Sequence, residues 1–195
     1  MKRVFDIVLS ALGLLILSVP GLFVAAWIAW DDGFPVFFTQ ERVGKHGKRF
    51  KLLKFRSMYR NAERQGQITV GNRDPRITPS GFWLRKYKLD ELPQLLNVLK
   101  GEMSLVGPRP EVPRYVQLYS NQQRSILTVK PGITDWASIA FRHENTLLAS
   151  EKDPEAFYIH TILPQKINLN LVYVRDQSVP HYFKILLATA FQIFK

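Results

Sequence analysis

Ile7-Val-Leu-Ser-Ala-Leu-Gly-Leu-Leu-Ile-Leu-Ser-Val-Pro-Gly-Leu-Phe-Val-Ala-Ala-Trp-Ile-Ala-Trp30 contains no charged residue, whereas Lys2, Arg3 and Asp6 precede it and Asp31 and Asp32 follow it. The run is long enough to cross a bilayer as a helix. It is too long for a signal-peptide core and shows no convincing small-x-small cleavage site before the charges that follow it, so it is expected to remain in the mature chain. Two features oppose a simple span. Pro20 removes the amide that would bond the carbonyl of Ile16, so a kink is expected near Leu17–Pro20, where Ser18 can bond back to a carbonyl. Both flanks are also basic. Lys2 and Arg3 stand on one side, and eight basic residues with no acidic one lie between Arg42 and Arg60 on the other. Both ends therefore ask for the same, cytoplasmic side. A re-entrant helix broken at Pro20 over residues 1–33 meets both demands, with a compact cytoplasmic domain over 34–195.

That domain reads as mainly α with one small β-hairpin. Pro35–Gln40 and Arg49–Phe55 are predicted strands around the turn Gly44–Gly47, and Asn61–Ser80 reads as a long polar loop. Helices are predicted over Ser80–Tyr87, Glu91–Lys100, Glu111–Leu127 and Asp153–Asp176, the last interrupted at Pro164. Tyr182–Lys195, an apolar helix with Lys184 and Lys195 at its ends, suits the membrane interface or the domain surface.

With no cysteine in 195 residues, a disulfide framework, a thiolate metal site and a cysteine nucleophile are all excluded. The four histidines show no close ligand spacing, and there is no Walker-type sequence. Net charge is +11, and 17 of the 27 basic residues fall in the first 100, a field suited to phosphate in nucleic acid, in lipid or in a nucleotide-linked substrate.

The densest chemistry lies in Leu84-Arg-Lys-Tyr-Lys-Leu-Asp-Glu-Leu-Pro-Gln-Leu-Leu-Asn-Val-Leu-Lys-Gly101. Asp90 could simply cap a helix that Gly101 ends. However, its N3 position is Pro93, which has no amide hydrogen to offer the cap. Arg85, Lys86 and Lys88 close by are expected to hold Asp90 ionised, and an ionised aspartate among phosphate-binding cations can ligate magnesium or attack phosphorus. Downstream, Pro108 and Pro110 stiffen the backbone around Arg109, which suits a guanidinium that meets a phosphate at fixed geometry.

Phe38-Thr-Gln-Glu-Arg-Val-Gly44, Lys54-Phe-Arg-Ser-Met58, Leu89-Asp-Glu-Leu-Pro-Gln-Leu95, Met103-Ser-Leu-Val-Gly-Pro-Arg-Pro110 and Pro131-Gly-Ile-Thr134 together resemble the bacterial sugar transferase family, the small monotopic phosphoglycosyl transferases. The resemblance implies transfer of a sugar-1-phosphate from a UDP-sugar to a polyprenyl phosphate, most plainly undecaprenyl phosphate, with release of UMP. It implies the bacterial inner membrane, a catalytic domain on the cytoplasmic face, and no nucleic-acid partner; it is compatible with a homo-oligomer. By the same resemblance Asp90 is the nucleophile, Glu91 assists, and magnesium is held by Asp90 and Glu91. Arg85 binds phosphate, Pro108, Arg109 and Pro110 lie near the nucleotide, and Lys54 and Arg56 add positive field. The chain departs from the family pattern at Ser18-Val-Pro20, at Asp135, at Ser138 and the following Phe141–Asn145, and at Asn170 and Tyr182, the last two reading as structural. Two rivals are a basic membrane-attached binding protein, which would not depend on Asp90, and an enzyme that transfers the sugar alone and releases UDP.

Overall fold

The computed structural model describes residues 1–71 and 73–193. Helix α1 (Lys2–Asp32) is followed by a hairpin of β1 (Phe37–Val43) and β2 (Arg49–Phe55), antiparallel with Phe37 opposite Phe55 and Val43 opposite Arg49. The α2 helix (Pro79–Lys86) starts where Thr78 Oγ1 accepts the amide of Gly81 at 3.0 Å, and α3 (Gln94–Lys100) ends at Gly101, whose φ of 85° lets its amide donate to the carbonyls of Asn97 and Val98. Then follow β3 (Ser104–Val106), α4 (Pro113–Val116), β4 (Gly132–Thr134), α5 (Trp136–Ala140), α6 (Glu144–Ala149), α7 (Pro154–Phe157), α8 (Leu163–Arg175) and α9 (Val179–Ile193). The expected helix at Tyr182–Lys195 is α9, although Lys195 lies outside the described residues.

Three expectations need correction. The first is the break at Pro20, for α1 is helical on both sides of this residue and does not end there. One proline removes a single hydrogen bond from a helix held by many, and Ser18 Oγ bonds the carbonyl of Leu15 at 2.7 Å. The second is Glu111–Leu127, which is only α4 and a 3-10 stretch at Gln123–Thr128. Ser120 and Gln123 exchange side-chain-to-backbone bonds of 2.8 and 3.2 Å, starting a new turn instead of continuing the old one. The third is a parallel pair of β3 with β4 that three-residue strands did not reveal in sequence. Before Pro164 the expected interruption takes the form of a π-helical turn at Tyr158–Ile162.

Three apolar cores hold the elements together. One joins β1, α4, Ile126, Leu148 and the start of α8; a second joins β2, α3, β3 and α9; a third joins Ile28 of α1 to Val36, Phe55 and Leu84. So α1 is not a separate unit, because Phe5 packs on the second core and Val24, Ala25 and Ala29 on the third.

Polar contacts tie down both its ends. Arg3 donates to the carbonyls of Val98 and Leu99 at 2.6 and 2.9 Å, at the C-terminus of α3, where helix carbonyls attract a cation. Asp6, buried at 3% exposure, accepts from Ser104 Oγ, Leu105 N and the Tyr182 hydroxyl, each at 2.9 Å. At the far end Asp31 accepts from the amide of Ser80 at 2.8 Å, and Arg56 donates to the carbonyls of Asp32 and Gly33 at 2.8 and 2.6 Å. Val8, Leu12, Leu15, Ile16, Val19, Leu22 and Phe23 remain exposed between these anchors. Because Asp6→Ala strands three donors, of which two are side-chain hydroxyls, it is expected to cost about 3 kcal/mol, read as a lowered thermal midpoint of the detergent-solubilised protein.

Candidate active site

Lys88, in the left-handed region at φ 59°, turns the chain sharply after α2, and Leu89–Glu91 forms one 3-10 turn before Pro93, the residue that precedes α3. This turn sends two neighbouring carboxylates in different directions. Glu91 meets Lys54 Nζ at 3.0 Å and takes a two-pronged pair from Arg109, with NH1 to Oε2 at 3.0 Å and NH2 to Oε1. Asp90 accepts no hydrogen bond from any described residue, though it is only 4% exposed, and it lines a cleft of about 460 Å³. It caps nothing, as Pro93 foretold.

Both acids are buried, and their cation partners set them apart. It raises the Asp90 carboxyl above the ordinary aspartate range, Glu91 adds to the rise, and Lys54, Arg85 and Lys88 oppose it. Arg85 and Lys88 act on Asp90 in the expected direction but do not outweigh burial, since Lys54 is paired with Glu91 and Arg85 NH2 is turned to Thr69 Oγ1 at 2.9 Å. For Glu91, burial also pushes upward, but Arg109 and Lys54 outweigh it and hold the carboxyl well below the usual glutamate range.

Arg109 is placed by backbone. At Gly107, just after β3, and Gly132, where β4 begins, the two segments pass so closely that a Cβ on either would collide with the other's backbone. Gly132 N donates to the Pro108 carbonyl at 3.0 Å, and Arg109 N to Asp135 Oδ2 at 2.6 Å. Asp135, fully buried, also caps α5 through Ser138 N and accepts from Asn170 Nδ2 at 3.3 Å. Asn170 and Tyr182 thus hold Asp135 and Asp6, a structural use of both departures from the family pattern.

Of the residues singled out in sequence, Lys54, Arg56, Arg85, Asp90 and Arg109 line the cleft. Pro108 and Pro110 instead border a separate, much smaller cavity with Val43 and Tyr119, so they frame Arg109 and do not face the cleft. Arg56 lines the wall, yet its bonded NH2 faces the end of α1. Sequence reasoning missed Glu111, Tyr158 and Lys166 on the cleft wall, and noted Asp135, behind it, only as a departure from the family pattern. Arg42, read only as a flanking charge, donates to the Pro110 carbonyl at 2.9 Å and stands 3.7 Å from Glu111. Only the place of Arg42 and Asp135 within or beside recognisable motifs could have signalled them.

No group of three or more carboxylates or histidines among the described residues could cage a metal. Asp90, unbonded and facing the cleft, fits magnesium of the kind shared with substrate phosphates. Glu91 fits it poorly, since both its oxygens are taken by cations.

The family model for bacterial sugar transferase matches residues 1–195. The chain belongs to the bacterial sugar transferase family. This sugar transferase is 46% identical over 143 residues to the uncharacterized sugar transferase EpsL of Bacillus subtilis (strain 168), covering 73% of this chain and 70% of that one. It is 38% identical over 199 residues to the UDP-glucose:undecaprenyl-phosphate glucose-1-phosphate transferase of Escherichia coli (strain K12), covering 100% of this chain and 40% of that protein. It is 40% identical over 159 residues to the undecaprenyl-phosphate galactose phosphotransferase of Salmonella typhimurium (strain LT2), covering 74% and 33%.

Proposed function

We propose that this protein moves a sugar-1-phosphate from a UDP-sugar to a polyprenyl phosphate, undecaprenyl phosphate being the acceptor its relatives' names carry, and releases UMP. One observation carries the mechanism: Asp90 is buried, unbonded among the described residues and open to a cleft rich in arginine and lysine. An Asp90 oxygen attacks the phosphorus that bears the sugar; the bond from that phosphorus to the bridging oxygen breaks, and UMP leaves with the electron pair. An oxygen of the lipid phosphate then attacks the same phosphorus, and the bond to Asp90 breaks to restore the carboxylate. Splitting the transfer keeps two polyanions from occupying the site together. Arg109, held by Glu91 and Asp135, and Arg85 supply positive charge before the reaction begins. Magnesium bound at Asp90 with the diphosphate would offset its charge.

Supplying UDP-sugars, magnesium and undecaprenyl phosphate tests this reading: UMP is the expected nucleotide product. UDP would support transfer of the sugar alone, and no turnover the binding-protein reading.

We further propose that α1 enters the inner membrane from the cytoplasmic face without crossing it. Its length, about 46 Å at 1.5 Å per residue, would suffice to span. But Arg3 and Asp6 bond the same domain that Asp31 and Asp32 bond, which supports both ends on one side. The chain lacks cysteine, so single cysteines at Lys2 and Lys45 can be labelled separately in closed vesicles. Equal accessibility is expected, and opposite accessibility would sink the proposal.

A further inference from the structure

The cleft has two chemically different ends, joined by β1. At one end Pro35, Phe37 and Phe55 form an apolar lip just after the last turn of α1. Five residues further along β1, about 17 Å at 3.3 Å per residue, Arg42 meets a wall of polar groups from α6, α8 and the π-helical turn.

That wall is built and held in place. Glu111 accepts the Tyr158 hydroxyl at 2.6 Å and stands 4.0 Å from Lys166 Nζ, which donates to Glu144 Oε2 at 2.9 Å. Lys166 and Glu111 are 8% and 9% exposed, a depth at which charge persists only with partners. The Asn145 side chain, beside Glu144, makes no hydrogen bond with any described residue, while its carbonyl anchors Gly71 N at 2.9 Å. The π-helical turn that begins at Tyr158 is a local irregularity of the sort that gathers at functional sites.

Fixed carboxylates, a buried ammonium and a free amide are the complement of a ring of hydroxyl groups. Each hydroxyl both gives and accepts a hydrogen bond, and a site lined with both partners distinguishes epimers by which of its groups are left unpaired. The lipid acceptor must come from the membrane side, and the apolar lip lies there; the opposite wall is left for the water-soluble donor. We infer that Glu111, Glu144, Asn145, Tyr158 and Lys166 form the wall that reads the hydroxyl pattern of the donor's sugar ring. This rests on the proposed function, and it makes Glu144, Asn145 and Lys166 specificity-determining.

The experiment uses the full chain in detergent or nanodiscs, with Glu144→Gln, Asn145→Ala and Lys166→Met. For each, kcat/KM is measured for the preferred UDP-hexose and for its C4 epimer, along with inhibition by UMP. Discrimination between the epimers should change tenfold or more in at least one variant, with UMP inhibition within about twofold of wild type. Unchanged discrimination in all three would overturn the assignment. So would an equal loss for both donors, and if that came with weakened UMP inhibition the wall would belong to the nucleotide. Asn145 is half-exposed and its replacement removes no structural bond, so that variant decides the matter if Lys166→Met fails to fold. A wild-type protein that turns over no UDP-sugar would refute the function itself, an outcome separate from these.

Discussion

Replacement of Asp90 by Asn is expected to lower transfer by about three orders of magnitude or more, because an amide cannot form the bond to phosphorus. The fold should not suffer. Asp90 accepts no bond from a described residue, and burial raises its carboxyl above the ordinary value of 3.8, so at neutral pH its ionised form costs stability. That cost is absent below the ordinary value and fully present above the raised one. The Asn variant should therefore melt at the same temperature as wild type or higher at pH 7, and the difference should shrink as pH falls. For the wild type, kcat/KM should decline on the acid side with a midpoint above 3.8. Incubation with UDP-sugar and magnesium, without lipid, should release UMP and leave a sugar phosphate on the Asp90 peptide. An active Asp90→Asn enzyme, or stoichiometric UMP release with no adduct, would remove Asp90 from the role.

Glu91→Gln should show the opposite pairing of effects. It removes the charge that partners Lys54 and Arg109 in a largely buried setting, where side-chain exposures are 13, 18 and 29%. The expected loss is roughly 2–3 kcal/mol, below the usual figure for halving a buried pair because the amide oxygen can still accept one bond. Released from its two-pronged anchor, Arg109 should also lose its fixed position, lowering turnover about ten- to a hundredfold. Glu91 has its carboxyl held well below the ordinary 4.5, so its stabilisation is fully present above that value and disappears as pH falls through the lowered one. Melting curves of both proteins should thus be well separated at pH 7 and converge only in strong acid. A Gln variant as stable and active as wild type would show that the Glu91–Arg109 pair holds nothing in place.

Much of this was open to reading along the chain. The uncharged run Ile7–Trp30 pointed to α1, since 24 consecutive uncharged and mostly apolar residues are longer than a strand and suit one long helix. Gly101 ended α3 because the left-handed region is easy for glycine, and Pro93 told in advance that Asp90 would be a poor cap. Three of the five motifs carry Lys54, Asp90 and Arg109, which line one cleft.

Sequence could not tell which partners the charges would choose. Asp90 and Glu91 are adjacent and chemically alike, yet among the described residues one is unbonded and the other clamped, because a single 3-10 turn points them apart and the bonds of Lys54 and Arg109 go to Glu91. Glu111 and Lys166 lie 55 positions apart, Asp135 and Asn170 35, and three-residue strands are too short to leave a periodic trace. Asp6 looked like a membrane flank until the fold brought Ser104, Leu105 and Tyr182 to it. By itself the sequence determined the apolar helix, the hairpin and the clustering of charged residues around Asp90, since these depend on hydropathy, turn chemistry and residue type within a few positions. Only the tertiary structure decided which carboxylate stays free, which guanidinium is fixed and where both ends of α1 are held, because ion pairs and buried hydrogen bonds depend on distance in space between residues far apart in the chain.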